Sequence, residues 1–305
     1  QMEQQYPPAQ MEKIMAGFMT DRPVTLRINT IKTEIRNVLQ TLQDRNIKFD
    51  RVPWYKDALI VKNKREKEWQ TDPLYQEGYI YLQSLSSMIP PLVLNPAPGS
   101  KVLDLTAAPG SKSTQLAALM QNNGFILANE INPLRAERLK YNIAKQGANI
   151  ITVRTGDGKR LESEWREYFD AVLLDAPCSG EGLFSLANPQ TYRHWSLKRT
   201  KQYAREQKKL LRTAFWVLKP GGSLVYSTCT LSVTENENIV SWALQTYGKS
   251  IKLEKISLQI YGAEAGLPGC GVPNPEFLMR IPPSSLMEGF FIAKLKKISS
   301  DGPVK

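Results

Sequence analysis

From residue 101 onward, the sequence alternates between short apolar runs and amphipathic segments. The run at 171–175 is apolar on both faces, which is typical of a strand buried inside a sheet. The longest amphipathic segment, 197–218, is followed by Lys-Pro-Gly-Gly, and we expect a helix there. Buried strands that alternate with helices favour a mostly parallel sheet covered on both faces, so we predict an α/β fold.

The same alternation predicts the bounds of the individual strands and helices. Ligands of such sheets bind at the carboxyl ends of the strands, so the residues that follow each strand are the candidate site residues. The predicted strands are 101–105, 125–129, 150–153, 171–175, 223–227 and 290–295, and the predicted helices are 113–121, 133–146, 197–218 and 234–245.

The first 95 residues lack this regular alternation. The sequence predicts short helices at 11–18 and 33–42 and strands at 24–28, 58–61 and 79–82. A further helix should start near Gln83 and break or kink at Pro90 and Pro91. We therefore predict a small α+β module over residues 1–95, with a role in RNA recognition, and a larger α/β domain over 96–305.

The charge of the chain indicates a polyanionic partner. Forty Lys and Arg residues against 29 Asp and Glu residues give a net charge of +11 and a pI near 9.4. Nucleic acid is the main candidate, and a merely cationic surface is the alternative. The sequence shows neither the roughly 18 apolar residues of a membrane span nor a signal-peptide pattern. We expect a cytoplasmic monomer without a membrane partner.

The cysteine and histidine content narrows the possible chemistry. The chain has three cysteines, Cys178, Cys229 and Cys270, and one histidine, His194. Three unclustered cysteines do not form a disulfide framework, and a structural zinc site needs four nearby Cys or His ligands. We expect no metal, and the single histidine disfavours a Ser-His-Asp mechanism.

Small residues and two acids follow the first three strands of the α/β region. Residues 106–112 form a small-residue loop that lets the backbone approach a ligand closely. Glu130 ends the second strand and could accept the hydroxyls of a ribose, while Asp157 follows the third and could accept from an adenine amino group. Together they predict a site for a nucleoside-type cofactor. Each acid could instead be a helix N-cap.

Two of the three cysteines follow the next two strands. Cys178 lies three residues after Asp175, and Cys229 lies just past the fifth strand. A lone cysteine is usually a small buried hydrophobic residue, but two at adjacent strand ends indicate a reactive pair. Cys270 lies in the loop 262–271, where we expect only a structural role.

These motifs carry a family resemblance. The sequence resembles the RNA cytosine-5 methyltransferases of the NOL1/NOP2/Sun family, close to the bacterial ribosomal-RNA type. The resemblance extends from about residue 20 to residue 297. The matching motifs are Ala-Ala-Pro-Gly-Ser-Lys at 107–112, Asp-Ala-Pro-Cys-Ser-Gly at 175–180, Ser-Thr-Cys-Thr at 227–230, Glu-Gly-Phe-Phe at 288–291, and upstream 26–30 and 81–88.

The resemblance implies a class I, Rossmann-like methyltransferase with a mostly parallel seven-stranded sheet, S-adenosyl-L-methionine as donor and a cytosine in RNA as acceptor. It assigns Cys229 as the nucleophile, Cys178 as the cysteine that assists release, and Asp175 to the boundary between cofactor and base. The implied cofactor residues are Thr106, Ala107, Ala108, Pro109, Gly110, Ser111, Lys112, Glu130, Arg135, Asp157 and Asp175.

The sequence departs from the family pattern at three places. Thr106 stands where many members have cysteine, and 280–285 lacks the usual aromatic and histidine residues. Many bacterial relatives continue into a C-terminal RNA-binding domain, which we expect this chain to lack. Ribosomal RNA is the expected substrate. Transfer RNA, DNA cytosine or amino-group methylation, and a non-catalytic RNA-binding role in ribosome assembly are the alternatives.

The segment 193–212 is strongly basic and could contact RNA phosphates. A solvated helix face is the alternative interpretation. Arg27 and 62–65 could extend this basic track, and the residues expected to face the sheet are Leu197, Tyr203, Leu210, Leu211 and Phe215. Tyr192 could stack on the target base, whereas we expect Trp195 to pack in the core.

Overall fold

The computed structural model describes residues 5–302, which form a small and a large β-sheet. The small sheet consists of β1 (Val24–Ile28), β2 (Phe49–Arg51), β3 (Ala58–Val61) and β4 (Ile80–Leu82). Its order is β2-β3-β1-β4, and all its pairs are antiparallel. Helix α1 (Pro8–Phe18) packs against Leu231 and Leu267, whereas α2 (Ile35–Asp44), α3 (Glu66–Trp69) and α4 (Pro73–Gln76) contribute to the core of the small sheet.

The small sheet and its helices enclose a core of their own. Leu26 and Ile28 from β1 pack with Val38 and Leu42 from α2 and with Trp69. These residues confirm the predicted α+β character. The short strand β2 was missed because its sequence, Phe-Asp-Arg, has one apolar residue and shows no alternation.

Helix α5 (Leu85–Leu94) continues through Pro90 and Pro91, so of the two predicted outcomes, a break or a kink, the break is wrong. A proline at 91 cannot donate to the carbonyl of Ser87. The Gln83 side chain donates to that carbonyl instead, at 3.2 Å. A side chain from before the helix thus replaces one of the lost backbone bonds.

The large sheet follows the predicted topology. Its strands are β5 (Lys101–Asp104), β6 (Phe125–Glu130), β7 (Ile151–Thr155), β8 (Phe169–Asp175), β9 (Leu218–Thr228), β10 (Ile251–Glu254), β11 (Met279–Ile281) and β12 (Phe290–Lys297). The order is β7-β6-β5-β8-β9-β12-β10, with β11 paired to β12. Strands β5 to β9 are parallel and β12 is antiparallel, which confirms the α/β fold.

The sheet has eight strands rather than seven. The additional strand β11 is three residues long, with Arg280 at its centre. A charged residue inside so short a run hides its strand character from the sequence. Arg280 is nevertheless buried, because Glu237 pairs with it.

Helices cover both faces of the large sheet. They are α6 (Ser111–Leu119), α7 (Pro133–Gln146), α8 (Glu162–Trp165), α9 (Leu197–Val217) and α10 (Glu237–Tyr247). Neighbouring residues of β5 point to opposite faces, since Val102 and Leu103 belong to different core clusters. Leu85, Met88 and Ile89 of α5 pack in the cluster of Val102. The domain boundary near residue 95 stays a prediction.

The parallel strands end at one edge of the sheet, where the candidate residues lie. Asp104, Glu130 and Asp175 are the last residues of β5, β6 and β8. None of the helices within residues 5–302 has the length and apolar character that a membrane span requires.

Candidate active site

The small-residue loop after β5 connects the ends of three strands. Thr106 Oγ1 donates to the backbone carbonyl of Asp175 at 2.8 Å, and the Ala107 amide donates to the carbonyl of Asn129 at 2.8 Å. Gly110 precedes α6 with a φ of 106°, a conformation that favours glycine. A Cβ at Gly110 would lie only 2.9 Å from Leu139 Cδ1. Glycine therefore lets the loop pack closely on α7.

Glu130 and Arg135 lie together beside this loop. Glu130 is 2% exposed, and its Oε1 accepts from the Asn132 amide at 2.9 Å. Its Oε2 lies 3.5 Å from Arg135 Nη1, and Arg135 Nη2 donates to the Ala108 carbonyl at 2.8 Å. Arg135 therefore joins the acid after β6 to the loop after β5.

Asp157 follows β7, and its contacts can be compared with the two interpretations, an acid that binds the cofactor and a helix N-cap. One oxygen accepts from the Lys159 amide at 3.0 Å and caps the short helix Gly158–Arg160, as the N-cap alternative predicts. The other oxygen lies 3.6 Å from Lys159 Nζ, and the side chain is about one-third exposed. The side chain is thus partly accessible, with this second oxygen facing Lys159.

Asp104 lies beneath the loop and is 1% exposed. Its Oδ2 accepts from Ser113 Oγ at 2.6 Å, whereas its Oδ1 has no hydrogen-bond partner among residues 5–302. Burial raises the pKa of Asp104 to about 6, and the Ser113 hydrogen bond opposes this rise.

The two thiols of Cys178 and Cys229 lie 3.1 Å apart. Strands β8 and β9 pair with Asp175 opposite Ser227, so both cysteines follow at the same edge of the sheet. Both are half-buried. The hydrogen bond to Cys229, and then burial, raises the pKa of the Cys178 thiol well above its ordinary value.

Asp175 is held from two sides. Ser227 Oγ donates to Oδ1 at 2.7 Å, and Lys112 Nζ lies 2.7 Å from Oδ2. Lys112 Nζ also donates to Ser87 Oγ at 2.7 Å, which ties the pair to α5. The resemblance places Lys112 in the cofactor loop, but in the structure its ammonium contacts Asp175.

Two buried carboxylates that the sequence analysis missed connect the cysteine segments, which we define as residues 177–180 and 229–232. Glu181 accepts from Thr230 Oγ1 at 3.0 Å and from Trp195 Nε1 at 2.8 Å. Glu235 accepts from Ser179. Burial raises the pKa of Glu235 to about 7. No spacing rule singles out Glu235 among the neighbouring polar residues; only the fold brings it to the cysteines.

The third cysteine lies in a different environment. Cys270 packs against the cluster that contains Phe18 and Leu267, and its thiol lies 3.7 Å from the Pro268 carbonyl. This agrees with a structural role. No group of three or more metal-ligating side chains occurs within residues 5–302.

The basic segment lies on α9 with its cations outward. The exposed cations are Lys198, Arg199, Lys201, Arg205, Lys209 and Arg212. Leu197 was expected to face the sheet but is 48% exposed. Arg27 was expected on the basic track but is buried, where it donates to Gln83 and Thr114. Lys64 pairs with Asp72. Lys62 and Arg65 are exposed, so the extension of the track through 62–65 stays a prediction, whereas Arg27 cannot belong to it.

The two aromatic residues near the basic segment also have defined contacts. Tyr192 packs against Phe184, with ring centroids 5.8 Å apart. Trp195 is half-buried, and its indole donates to Glu181, next to the cysteine segments. Trp195 is thus only partly in the core, contrary to full core packing.

The sheet order, the loop after β5 and the strand-end acids place the protein in the class of Rossmann-like methyltransferases. A sequence model of the 16S rRNA methyltransferase RsmB/F family matches residues 91–296, more than half of the chain. The chain belongs to this family. A model of the RsmF/B-like ferredoxin-like domain matches residues 1–66, which confirms the resemblance carried by the motifs.

Individual relatives agree with this assignment. Ribosomal RNA small subunit methyltransferase F of Shewanella sp. strain W3-18-1 is 39% identical over 290 residues, covering 92% of this chain. The chain spans only 58% of that relative's length. A methyltransferase homolog protein from Pyrococcus horikoshii is 30% identical, with a TM-score of 0.79 and coverage of 96% and 100% of the two chains.

A third comparison supports the fold alone. NSun6 from Pyrococcus horikoshii, solved with SFG, has a TM-score of 0.83 at 24% identity. The match covers 97% of this chain and 96% of that one. The arrangement of both sheets is therefore shared well beyond the similarity of the sequences.

The raised pKa of Asp104 predicts a pH dependence of stability. Between about pH 4 and 6 the folded chain holds this proton while the unfolded chain, with its pKa near 3.8, has lost it. The stabilisation is therefore full at low pH and is lost as pH rises through 6. From pH 4 to 7, Asp104→Asn should gain on the order of 3 kcal/mol in unfolding free energy relative to wild type.

Urea denaturation at several pH values measures this difference. Asp50→Asn, at an exposed carboxyl on β2, is the control and should keep a constant offset from the wild-type chain. Parallel curves for Asp104→Asn and wild type would show that burial does not perturb this carboxyl.

Proposed function

We propose that the protein methylates carbon 5 of a cytosine in RNA, with S-adenosyl-L-methionine as the methyl donor. The observation that carries this proposal is the pair of thiols 3.1 Å apart at the ends of β8 and β9. Asp175, which ends β8, supplies a carboxyl beside them. The relatives' name, ribosomal RNA small subunit methyltransferase F, favours 16S rRNA as the substrate.

The residues after β5, β6 and β7 fit the cofactor chemically. Glu130 and Asp157 offer carboxylate oxygens to ribose hydroxyls and an adenine amino group. The loop 106–112 lets a ligand approach the backbone closely. Asp104 Oδ1 is a buried acceptor that receives no hydrogen bond from any group within residues 5–302. When bound, the cofactor would supply an electrophilic methyl group on a sulfonium.

Covalent catalysis explains why the site needs a thiol. Carbon 5 of cytosine is too weak a nucleophile to take a methyl group unaided. The Cys229 thiolate adds to carbon 6, and the electron pair moves towards carbon 5, which becomes nucleophilic. Cys178 Sγ lies 3.1 Å from Cys229 Sγ, close enough to hydrogen-bond the attacking sulfur.

Asp175 is the group that fits the edge of the base. Its carboxyl can accept from the exocyclic amine of cytosine and stabilise a proton on ring nitrogen 3 as Cys229 adds. Lys112 and Ser227 hold both oxygens in place before the base arrives. Such preorganisation reduces the reorganisation that the reaction must otherwise undergo.

Release reverses the addition. After methylation, carbon 5 loses its proton to a base, and the electron pair expels Cys229 as a thiolate. Cys178 lies close enough to hydrogen-bond the departing sulfur. This contact is the proposed role of Cys178 in release.

Replacement of the two cysteines should have different effects. Cys229→Ala should abolish methylation, because no thiolate can add to carbon 6. Cys178→Ala should form the adduct but release it slowly, so that enzyme accumulates on RNA. Incorporation of labelled methyl groups and denaturing gels of enzyme with RNA measure the two effects.

Cys270→Ala is the matched control and should behave like wild type, since Cys270 lies outside the site. Methylation by Cys229→Ala together with normal turnover by Cys178→Ala would refute the assignment. Covalent attachment through Cys178 would instead favour the DNA-type arrangement.

The cofactor assignment is tested by calorimetry. Glu130→Gln should weaken S-adenosyl-L-methionine binding at least about tenfold, because a hydrogen bond to a charged group is worth about 1.5–3 kcal/mol. Glu137→Gln, on the exposed face of α7, removes the same charge and should leave the affinity unchanged. Equal affinities of the two variants would contradict the role of Glu130.

The exposed face of α9 is the proposed phosphate contact. Lys201 and Arg205 lie four residues apart on one helical face, and both are exposed. The target base must leave its stack to reach Cys229, so single-stranded or splayed RNA is favoured. We include the module of residues 1–95 in RNA recognition as part of the same proposal.

The salt dependence of RNA binding tests this face. Replacing Lys201 and Arg205 with glutamine should lower the slope of log K against log salt by about 1.4, since each contact with a single strand contributes about 0.7. The control, glutamine at Lys249 and Lys252 on the sheet edge, should leave the slope unchanged. Fluorescence anisotropy with a single-stranded RNA oligonucleotide gives the slopes. Identical slopes would assign α9 to a solvated surface.

A further inference from the structure

A closed ring of hydrogen bonds surrounds Cys178 on its backbone side. Gln207 Nε2 donates to the Pro177 carbonyl at 2.9 Å and to Glu235 Oε2 at 2.8 Å. The Ser179 amide donates to Glu235 Oε2 at 3.1 Å, and the Ser179 hydroxyl donates to Glu235 Oε1. The residues directly before and after Cys178 are thus both fixed by one side-chain pair.

The pair comes from elements outside the cysteine segments. Gln207 lies on α9 and Glu235 precedes α10, and both are fully buried. Tyr226 donates to the Glu235 carbonyl, which also fixes the backbone of Glu235 to β9. Gln207 and Glu235 are therefore fixed through α9 and β9, and not through the segment 177–180 that they hold.

The ring also continues to the second cysteine segment. The Ser179 and Thr230 hydroxyls lie 2.9 Å apart, and the Gly182 amide donates to the Cys229 carbonyl at 2.9 Å. Fixing Ser179 therefore fixes the separation of the two segments. The 3.1 Å contact between the thiols depends on that separation.

We propose that Glu235, together with Gln207, is a positioning residue that holds Cys178 against Cys229 for the release step. This inference rests on the proposed function, because it assigns Glu235 to the step in which Cys178 acts. Glu235 touches neither thiol through its carboxylate and acts through Ser179. Its loss should therefore impair release more than addition.

The substitutions separate hydrogen bonding from charge. Glu235→Leu removes both carboxylate acceptors of the ring and leaves only the Pro177 carbonyl. Glu235→Gln can keep it, because the amide oxygen can accept from the Ser179 amide and Gln207 while the amide nitrogen donates to the Ser179 hydroxyl. Glu237→Gln is the matched control, since Glu237 is equally buried but pairs with Arg280 and the Leu267 amide.

The readouts are the covalent enzyme–RNA fraction on denaturing gels and the ratio of steady-state to single-turnover methylation. Glu235→Leu should accumulate adduct, as Cys178→Ala does, and lose steady-state turnover by on the order of 100-fold, the cost of a displacement of about 1 Å. Its single-turnover methylation should stay near that of wild type. Glu235→Gln and Glu237→Gln should accumulate no adduct.

The outcomes distinguish this inference from the proposed function. Absence of adduct in Cys178→Ala itself would overturn the role of Cys178 in release and this inference with it, whereas methylation by Cys229→Ala would overturn the proposed function. Adduct in Cys178→Ala but not in Glu235→Leu would overturn the positioning role alone, as would equal adduct in Glu235→Leu and either glutamine variant. If Glu235→Leu does not fold, Gln207→Met breaks the other half of the ring and should accumulate adduct; its failure to do so would overturn the inference.

Discussion

The parallel pairing of β8 with β9 is the constraint on which the site depends. Asp175 lies opposite Ser227, and the hydrogen bond between their side chains fixes this register at the carboxyl ends of both strands. A slip of one residue would turn every side chain of a strand to the other face of the sheet. The thiols follow these positions by only two or three residues, so their contact requires this register and no other.

Much of this arrangement was predictable because it is local in sequence. Apolar runs and strand-end residues indicated the parallel sheet, the loop 106–112 and the positions of both cysteines. Strands β2, β10 and β11 were missed because each has at most four residues and includes a charged one, which hides its strand character. Helix α5 passes through two prolines, and the side-chain amide of Gln83, just before the helix, donates to one of the freed carbonyls, a contact that no propensity describes.

Long-range polar contacts were not predictable for a different reason. Arginine residues usually lie at the surface. Arg27 and Arg280 are nevertheless buried, because specific partners accept the hydrogen bonds of their guanidinium groups. Lys112 is two residues after Gly110, at the end of the loop predicted to bind the cofactor, and only the packing of α5 on α6 turns its ammonium to Asp175 and Ser87. Likewise, the sequence does not distinguish Glu235 from the polar residues around it, because only the fold brings it beside Ser179.

Asp175 contacts both parts of the site, the loop after β5 and the strand that leads to Cys229. Its backbone carbonyl accepts from Thr106 in the loop after β5, and its carboxylate meets Lys112 at the start of α6. Through Ser227 the same carboxylate contacts the strand that leads to Cys229. A displacement of the loop therefore displaces the carboxyl beside the thiols as well. In the proposed reaction the donor and the base must be held with their reacting atoms about 3–3.5 Å apart, and one residue that contacts both the loop and the strand leading to Cys229 helps to fix that distance.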